Sequence, residues 1–150
     1  MSTTTTAATL TDDVIRAAVV EWYRALDRHD PIEAVLPYLI DDGLEMRFPE
    51  TTSRGHAGFR EWYDAVTHRF FDEQHTVTGV DISRTGQTTA TLRVLVNWQA
   101  RIWDAPAPAS AWLGFDATQT WELVAGSDGR PLVKTYIVDA LDPMPGSAAL

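Results

Sequence analysis

The sequence predicts one α+β domain. Three observations carry this reading. Helix-period apolar stripes occupy the chain up to about residue 71. Four long segments rich in Val, Ile, Thr, Trp and Tyr follow them. The length of 150 residues suits one hydrophobic core, and no internal repeat is present.

From Asp12 to Asp27, Ile15, Ala18, Val19, Trp22 and Leu26 form an apolar stripe at helical spacing. Thr11 or Asp12 can cap that helix, and Asp12 and Asp13 suit its positive end. Asp30-Pro31 restarts a helix, with Asp30 as cap and Pro31 at the first position, and Pro37 shortens or kinks it. Asp41-Asp42-Gly43 is a turn. Leu44–Phe48 is a short strand closed by Pro49, and Gly55–Phe71 is a third helix striped at Phe59, Trp62, Tyr63, Val66 and Phe70. Strands are predicted at 76–83, 88–103, 111–124 and 132–141, joined as an antiparallel meander. Residues 1–11 read as a disordered tail, 12–141 as the domain and 142–150 as a Pro/Gly-containing tail.

The two longest strands alternate unusually. Arg93, Leu95, Asn97, Gln99 and Arg101 share one face, and Val94, Val96, Trp98 and Ile102 share the other. In the next strand Phe115, Ala117, Gln119, Trp121 and Leu123 alternate with Gly114, Asp116, Thr118, Thr120 and Glu122. A sheet with helices on one side and water on the other alternates more cleanly. One face is therefore expected to line a pocket and the other to meet a partner subunit, with Trp98, Ile102 and Thr120 at that interface.

Composition excludes several classes of function. There is no cysteine, which rules out disulfides, thiolate metal sites and a thiol nucleophile. The net charge of −9 disfavours binding to nucleic acid. No run is apolar and long enough to span a membrane, and the Thr/Ala-rich start lacks the charge of a leader, so a cytoplasmic protein is expected. Spacings that would ligate a metal, cradle a nucleotide or set a serine nucleophile are missing, so no metal and no cofactor are expected.

The segments Trp22–Asp30, Leu39–Pro49 and Arg54–Tyr63, and the order of elements over residues 12–140, resemble the NTF2-like superfamily, its SnoaL-like branch most. Members include ketosteroid isomerases, scytalone dehydratase, polyketide cyclases, limonene-epoxide hydrolase, dioxygenase small subunits and pure binding proteins. The resemblance implies a cone, with a curved, mostly antiparallel sheet closed by three helices around a pocket. It also implies a homodimer.

Residue by residue, the resemblance implies a mixed site. Tyr23 and Tyr63 fall where ketosteroid isomerases carry hydrogen-bonding tyrosines, but the isomerase's base position holds Phe48 and its oxyanion acid falls near Gln119. Asp27 and His75 overlap a dehydratase aspartate and histidine, while Asn97 or Gln99 stands where the second dehydratase histidine lies. A histidine can accept or deliver a proton near neutral pH, and an aspartate beside it fixes its tautomer. Each residue also has a plainer role: Asp27 as a turn cap, His75 as a surface residue, the tyrosines as packed aromatics.

The expected catalytic set is thus Asp27, His75, Tyr23 and Tyr63. Arg47, Phe48, Asn97, Gln99, Phe115, Gln119 and Trp121 are expected to bind substrate, Arg47 through an anionic group or else ion-paired outside. The leading reading is a cofactor-independent isomerase, cyclase or dehydratase acting on a small apolar ring-containing molecule. The alternatives are a non-catalytic small-molecule-binding protein and a dioxygenase small-subunit-like structural partner.

Overall fold

A computed structural model describes residues 9–150. Three helices pack on one six-stranded, curved, unclosed sheet. The helices are α1 (Asp12–Asp27), α2 (Ile32–Val35) and α3 (Gly55–Arg69), and a 3-10 turn at Leu36–Tyr38 extends α2. The strands are β1 (Glu45–Arg47), β2 (Thr52–Arg54), β3 (Phe70–Arg84), β4 (Thr89–Ile102), β5 (Ala111–Ala125) and β6 (Pro131–Pro143). The sheet order is β2-β1-β6-β5-β4-β3, antiparallel throughout except for the parallel β1–β6 pair.

Local chemistry explains the helix boundaries. The Thr11 hydroxyl accepts the Val14 N–H at 3.3 Å and caps α1. Helix α1 buries Ile15, Val19, Trp22, Tyr23, Ala25 and Leu26, so the predicted stripe gains Tyr23 and Ala25 while Ala18 is only half-buried. The cap of α2 is Pro31 rather than Asp30, whose side chain pairs with Arg28 at 2.8 Å instead. Pro37 lacks the N–H that an α-turn needs, so the segment tightens into the 3-10 turn.

The sheet departs from the sequence reading most at an added strand, β2, and at the start of β3. Strand β2 is three residues long and too polar to show a pattern; it forms by pairing with β1. Strand β3 starts at Phe70, earlier than the predicted residue 76, and a register shift lies between Phe71 and Gln74. The bulge bends the strand where α3 hands over to the sheet, and it breaks the alternation a sequence would show.

The core lies between α1 and the inner face of the sheet. Trp22, Met46, Phe59, Leu92, Val94 and Trp121 are fully or almost fully buried there. Strand register puts Leu92, Val94, Val96, Trp98, Ala100 and Ile102 of β4 on the inner face, across from Trp121, Gln119, Ala117, Phe115, Leu113 and Ala111 of β5. The expectation that Trp98 and Ile102 meet a partner subunit is thereby corrected. Both face inward because they alternate in phase with buried Val94 and Val96. Thr120 does face outward, where its hydroxyl donates to Asp139 at 2.6 Å.

The expected disordered segment 1–11 lies largely outside the described residues. Within its end, Leu10 is fully buried and its N–H donates to the Gln87 carbonyl at 3.1 Å. The expected tail at 142–150 is irregular after Pro143 yet tied to β5. Met144 N–H donates to Gly114 O, the Gly114 N–H to the Ser147 hydroxyl, and Ala148 N–H to Trp112 O.

Candidate active site

Between α3, the β1–β2 hairpin and the inner sheet face lies a cavity of about 850 Å³. That volume suits a small organic molecule. Its interior is lined by Leu26, Phe48, Trp62, Val66, Val96 and Val138, with a few polar groups among them. Exposed Glu50, Arg54, Glu61 and Arg69 also line it and form a charged rim. Phe48 stacks on Trp62 with ring centroids 3.8 Å apart, and the Trp62 indole N–H is held by Glu50 at 2.7 Å.

His75 lines this cavity from β3. Asp27, the last residue of α1, reaches it twice. Asp27 Oδ2 accepts the His75 backbone N–H at 2.9 Å, and Oδ1 lies 2.5 Å from His75 Nδ1. A carboxylate can only accept, so Nδ1 carries a proton, and in the neutral ring Nε2 holds the lone pair. Nε2 makes no hydrogen bond among the described residues. Tyr23 stacks against the imidazole at 4.6 Å and fixes the plane of the ring. The wrong charge at the end of α1 thus has a specific partner in place of the helix terminus.

Gln119 supplies the opposite pole. It is 5% exposed and lines the cavity. Its Oε1 accepts the Trp121 indole N–H at 2.9 Å and the Tyr23 hydroxyl at 2.6 Å. Indole nitrogen only donates, so the atom facing it must be oxygen, which settles the orientation of the amide. The single Tyr23 proton is spent on Gln119, so at the 3.2 Å contact between hydroxyls Tyr136 donates to Tyr23. Every proton in this chain runs toward Oε1. The amide nitrogen is left as a donor with no hydrogen bond among the described residues. Burial raises the pKa of Tyr23 well above its ordinary value and raises that of Tyr136 too, so both stay neutral phenols.

The sequence expectations divide accordingly. Asp27, His75, Tyr23 and Gln119 come together; Tyr23 touches the imidazole and Gln119 from behind and does not itself line the cavity. Tyr63 lines the cavity, but its hydroxyl donates to the Asp30 carbonyl at 2.6 Å. Burial first, then the charges of Asp30 and Glu73, push its pKa up to about 12. Phe48 lines the cavity. Phe115 packs behind Trp98 at 5.9 Å, and Trp121 sits in the core beneath Gln119, so neither forms the wall.

Asn97, Gln99 and Arg47 do not reach the cavity. Asn97 and Gln99 alternate with inward Val96 and Trp98, so they face outward. There Asn97 donates to Asp116 at 2.9 Å, and Gln99 accepts from Trp112. Arg47 is exposed on β1 and pairs with Glu45 at 2.6 Å. Together with Arg54, it holds the Glu45 carboxyl below its ordinary range.

Among the cavity residues that escaped the sequence reading, Tyr136, Trp98 and Glu73 bring polar groups into its interior. Tyr136 on β6 and Trp98 on β4 face inward in register with Trp121 and Phe115. The run Val94, Val96, Trp98 was the available signal for Trp98. Glu73 sits in the β3 bulge, where alternation gives no signal at all. Its carboxylate lies 2.5 Å from His29 Nε2 and accepts the Trp98 indole N–H at 3.2 Å. His29 is half-buried at this contact.

This geometry can be set beside known structures. No family model and no curated protein matches the chain. Solved structures do match. A hexachlorocyclohexane dehydrochlorinase from Novosphingobium barchaimii superposes with TM-score 0.72 at 15% identity, over 92% of this chain and 92% of that one. A ketosteroid isomerase-like protein from Erwinia carotovora atroseptica gives TM-score 0.67 at 19% identity, over 88% and 95%. A candidate dehydratase of the NTF2-like family from Streptomyces avermitilis gives TM-score 0.70 at 17% identity, over 89% and 95%. The fold is NTF2-like. At these identities the likeness concerns the fold alone, and the NTF2-like cone of this chain carries its own arrangement of polar groups.

Proposed function

We propose that the cavity catalyses proton transfer at carbon, in an isomerisation, cyclisation or elimination of a small, largely apolar, ring-containing molecule. The observation that carries this is the Asp27–His75 contact, which leaves His75 Nε2 open as a base. Nε2 takes a proton from a carbon next to a carbonyl, and the electron pair moves to the carbonyl oxygen. The Gln119 amide N–H donates to that oxygen as charge develops. Asp27 stabilises the resulting imidazolium. The proton then returns to another carbon, or a leaving group departs with the electron pair. Tyr23 and Tyr136 position Gln119 and touch no reacting atom. The dehydratase, isomerase and dehydrochlorinase names of the similar structures support chemistry of this kind.

The experiment is hydrogen–deuterium exchange at the α-carbon of 2-tetralone, followed by NMR in D2O. Exchange above buffer that disappears in His75→Ala, with the unfolding temperature retained, is the expected result. Exchange unchanged in that variant overturns it. Binding without exchange for 2-tetralone, 1-indanone and a cyclic β,γ-unsaturated ketone makes the protein a binding module.

The outer sheet face bears Leu95 at 40% exposure, which supports a second copy of the chain as its neighbour. Sedimentation of the wild type against Leu95→Asp tests that homodimer.

A further inference from the structure

We infer that Glu73 determines the specificity of the cavity by accepting a hydrogen bond from a hydroxyl of the ligand. This rests on the proposed reading of the cavity as a ligand site. It adds that the ligand is a ring compound with an acceptor at one end and a hydroxyl at the other.

The Glu73 side chain is 9% exposed and lines the cavity beside Trp98. A carboxylate so far from water is costly unless it is hydrogen-bonded. His29 and Trp98 supply one donor each, one to each oxygen. An ionised carboxylate offers about four acceptor positions, so these two bonds leave it half-satisfied. No other hydrogen bond reaches the Glu73 carboxylate among the described residues, and the residue faces the cavity.

The backbone is arranged for this contact on both sides. His29 has φ 52° and Asp72 has φ 51°, left-handed values uncommon outside glycine, though His and Asp adopt them more readily than most residues. One lies at the imidazole and the other just before the carboxylate in the β3 bulge. Strained backbone of this kind persists where surrounding structure holds it, often at functional sites.

Glu73 also stands in a defined relation to the other polar groups. Trp98 donates its N–H to Glu73 and lays its ring near the His75 ring at 6.2 Å. Base and acceptor therefore stand two residues apart on β3, and both meet the Trp98 indole. The sheet order places β4 between β5 and β3, and Gln119 of β5 and Glu73 of β3 both line the cavity. Two strand spacings are about 10 Å. The donor at Gln119 and the acceptor at Glu73 thus enter the cavity from separate strands, with Val96 and Trp98 of β4 between them. A molecule of two or three fused rings, with a carbonyl at one end and a hydroxyl at the other, satisfies both.

The test is binding, measured by equilibrium dialysis at neutral pH with two probes of similar shape. 2-Naphthol carries the hydroxyl, and 2-fluoronaphthalene lacks a donor. Wild type is expected to prefer 2-naphthol by about tenfold, the size of a hydrogen bond to a charged group. Glu73→Ala should bring the ratio near one or reverse it, with 2-fluoronaphthalene affinity little changed. Should Glu73→Ala not fold, Glu73→Gln keeps the shape and loses the charge, and the ratio should fall several-fold. Equal affinities in the wild type, or a preference that survives both variants, overturns the proposal. The readout needs no catalysis, so failure of 2-tetralone exchange with this preference intact overturns only the proton-transfer reading.

Discussion

Asp27 holds His75 at two points, the backbone N–H at 2.9 Å and Nδ1 at 2.5 Å. The two bonds tie the end of α1 to β3, so ring position and tautomer are set by one side chain. Asparagine in its place can present an amide N–H to Nδ1 and reverse the tautomer, which would occupy Nε2 with a proton. Asp27→Asn should therefore lower 2-tetralone exchange by on the order of 10²–10⁴-fold. The ¹⁵N signals of His75 should move from the Nδ1–H to the Nε2–H pattern in the same variant. A loss of exchange with the tautomer unchanged would assign Asp27 another role.

Gln119 joins stability to chemistry. Gln119→Leu removes the one acceptor shared by Tyr23 and Trp121 and leaves two buried donors without it. Thermal unfolding should show a loss of about 1–3 kcal/mol per orphaned donor. Exchange should fall by about 10²–10³-fold with ligand affinity less affected. Adding Tyr23→Phe should recover part of the stability and none of the exchange.

Alkaline unfolding should depend on the buried phenols. Burial raises Tyr23 and Tyr136, and Tyr63 stands at about 12 against an ordinary value of 10.0. Above pH 10 the unfolded chain loses these protons while the folded chain keeps them. Stability is thus fully present below pH 10 and falls as pH rises toward 12. Absorbance at 295 nm and far-UV circular dichroism should change together in that window. Tyr63→Phe should make the decline shallower; an unchanged slope would detach Tyr63 from it.

Gly114 is required by a close approach on the outer sheet face. A Cβ there would lie 2.4 Å from Trp112 Cζ2 and 2.9 Å from Met144 Sδ. Gly114→Ala should destabilise the fold by about 1–3 kcal/mol. It should also speed amide exchange at Met144 and Ala148, whose N–H groups bond to this part of β5. Protection unchanged at those amides would show that Trp112 alone moves aside.

Alternation and helical stripes placed α1, α3 and the long strands, because those signals are local. The Asp27–His75 pairing was legible only through the family resemblance, since 48 residues separate the two. Asn97 and Gln99 were expected in the site because the resemblance puts a second dehydratase histidine at one of these positions. Strand parity divides residues into two sets without saying which set is inside. Glu73 and β2 were invisible for a different reason. A bulge breaks the period, and a three-residue polar strand has none.

By itself, then, the sequence determined the order of the helices and long strands, the core stripes and the absence of thiol chemistry; the carboxylate–imidazole pair came with the family resemblance. The tertiary structure alone decided which face of β4 and β5 turns inward, how Trp121 orients the Gln119 amide, and where Glu73 stands. These depend on contacts between strands and on which sheet face α1 covers. Such contacts arise from packing across the whole chain, so no window of sequence contains them.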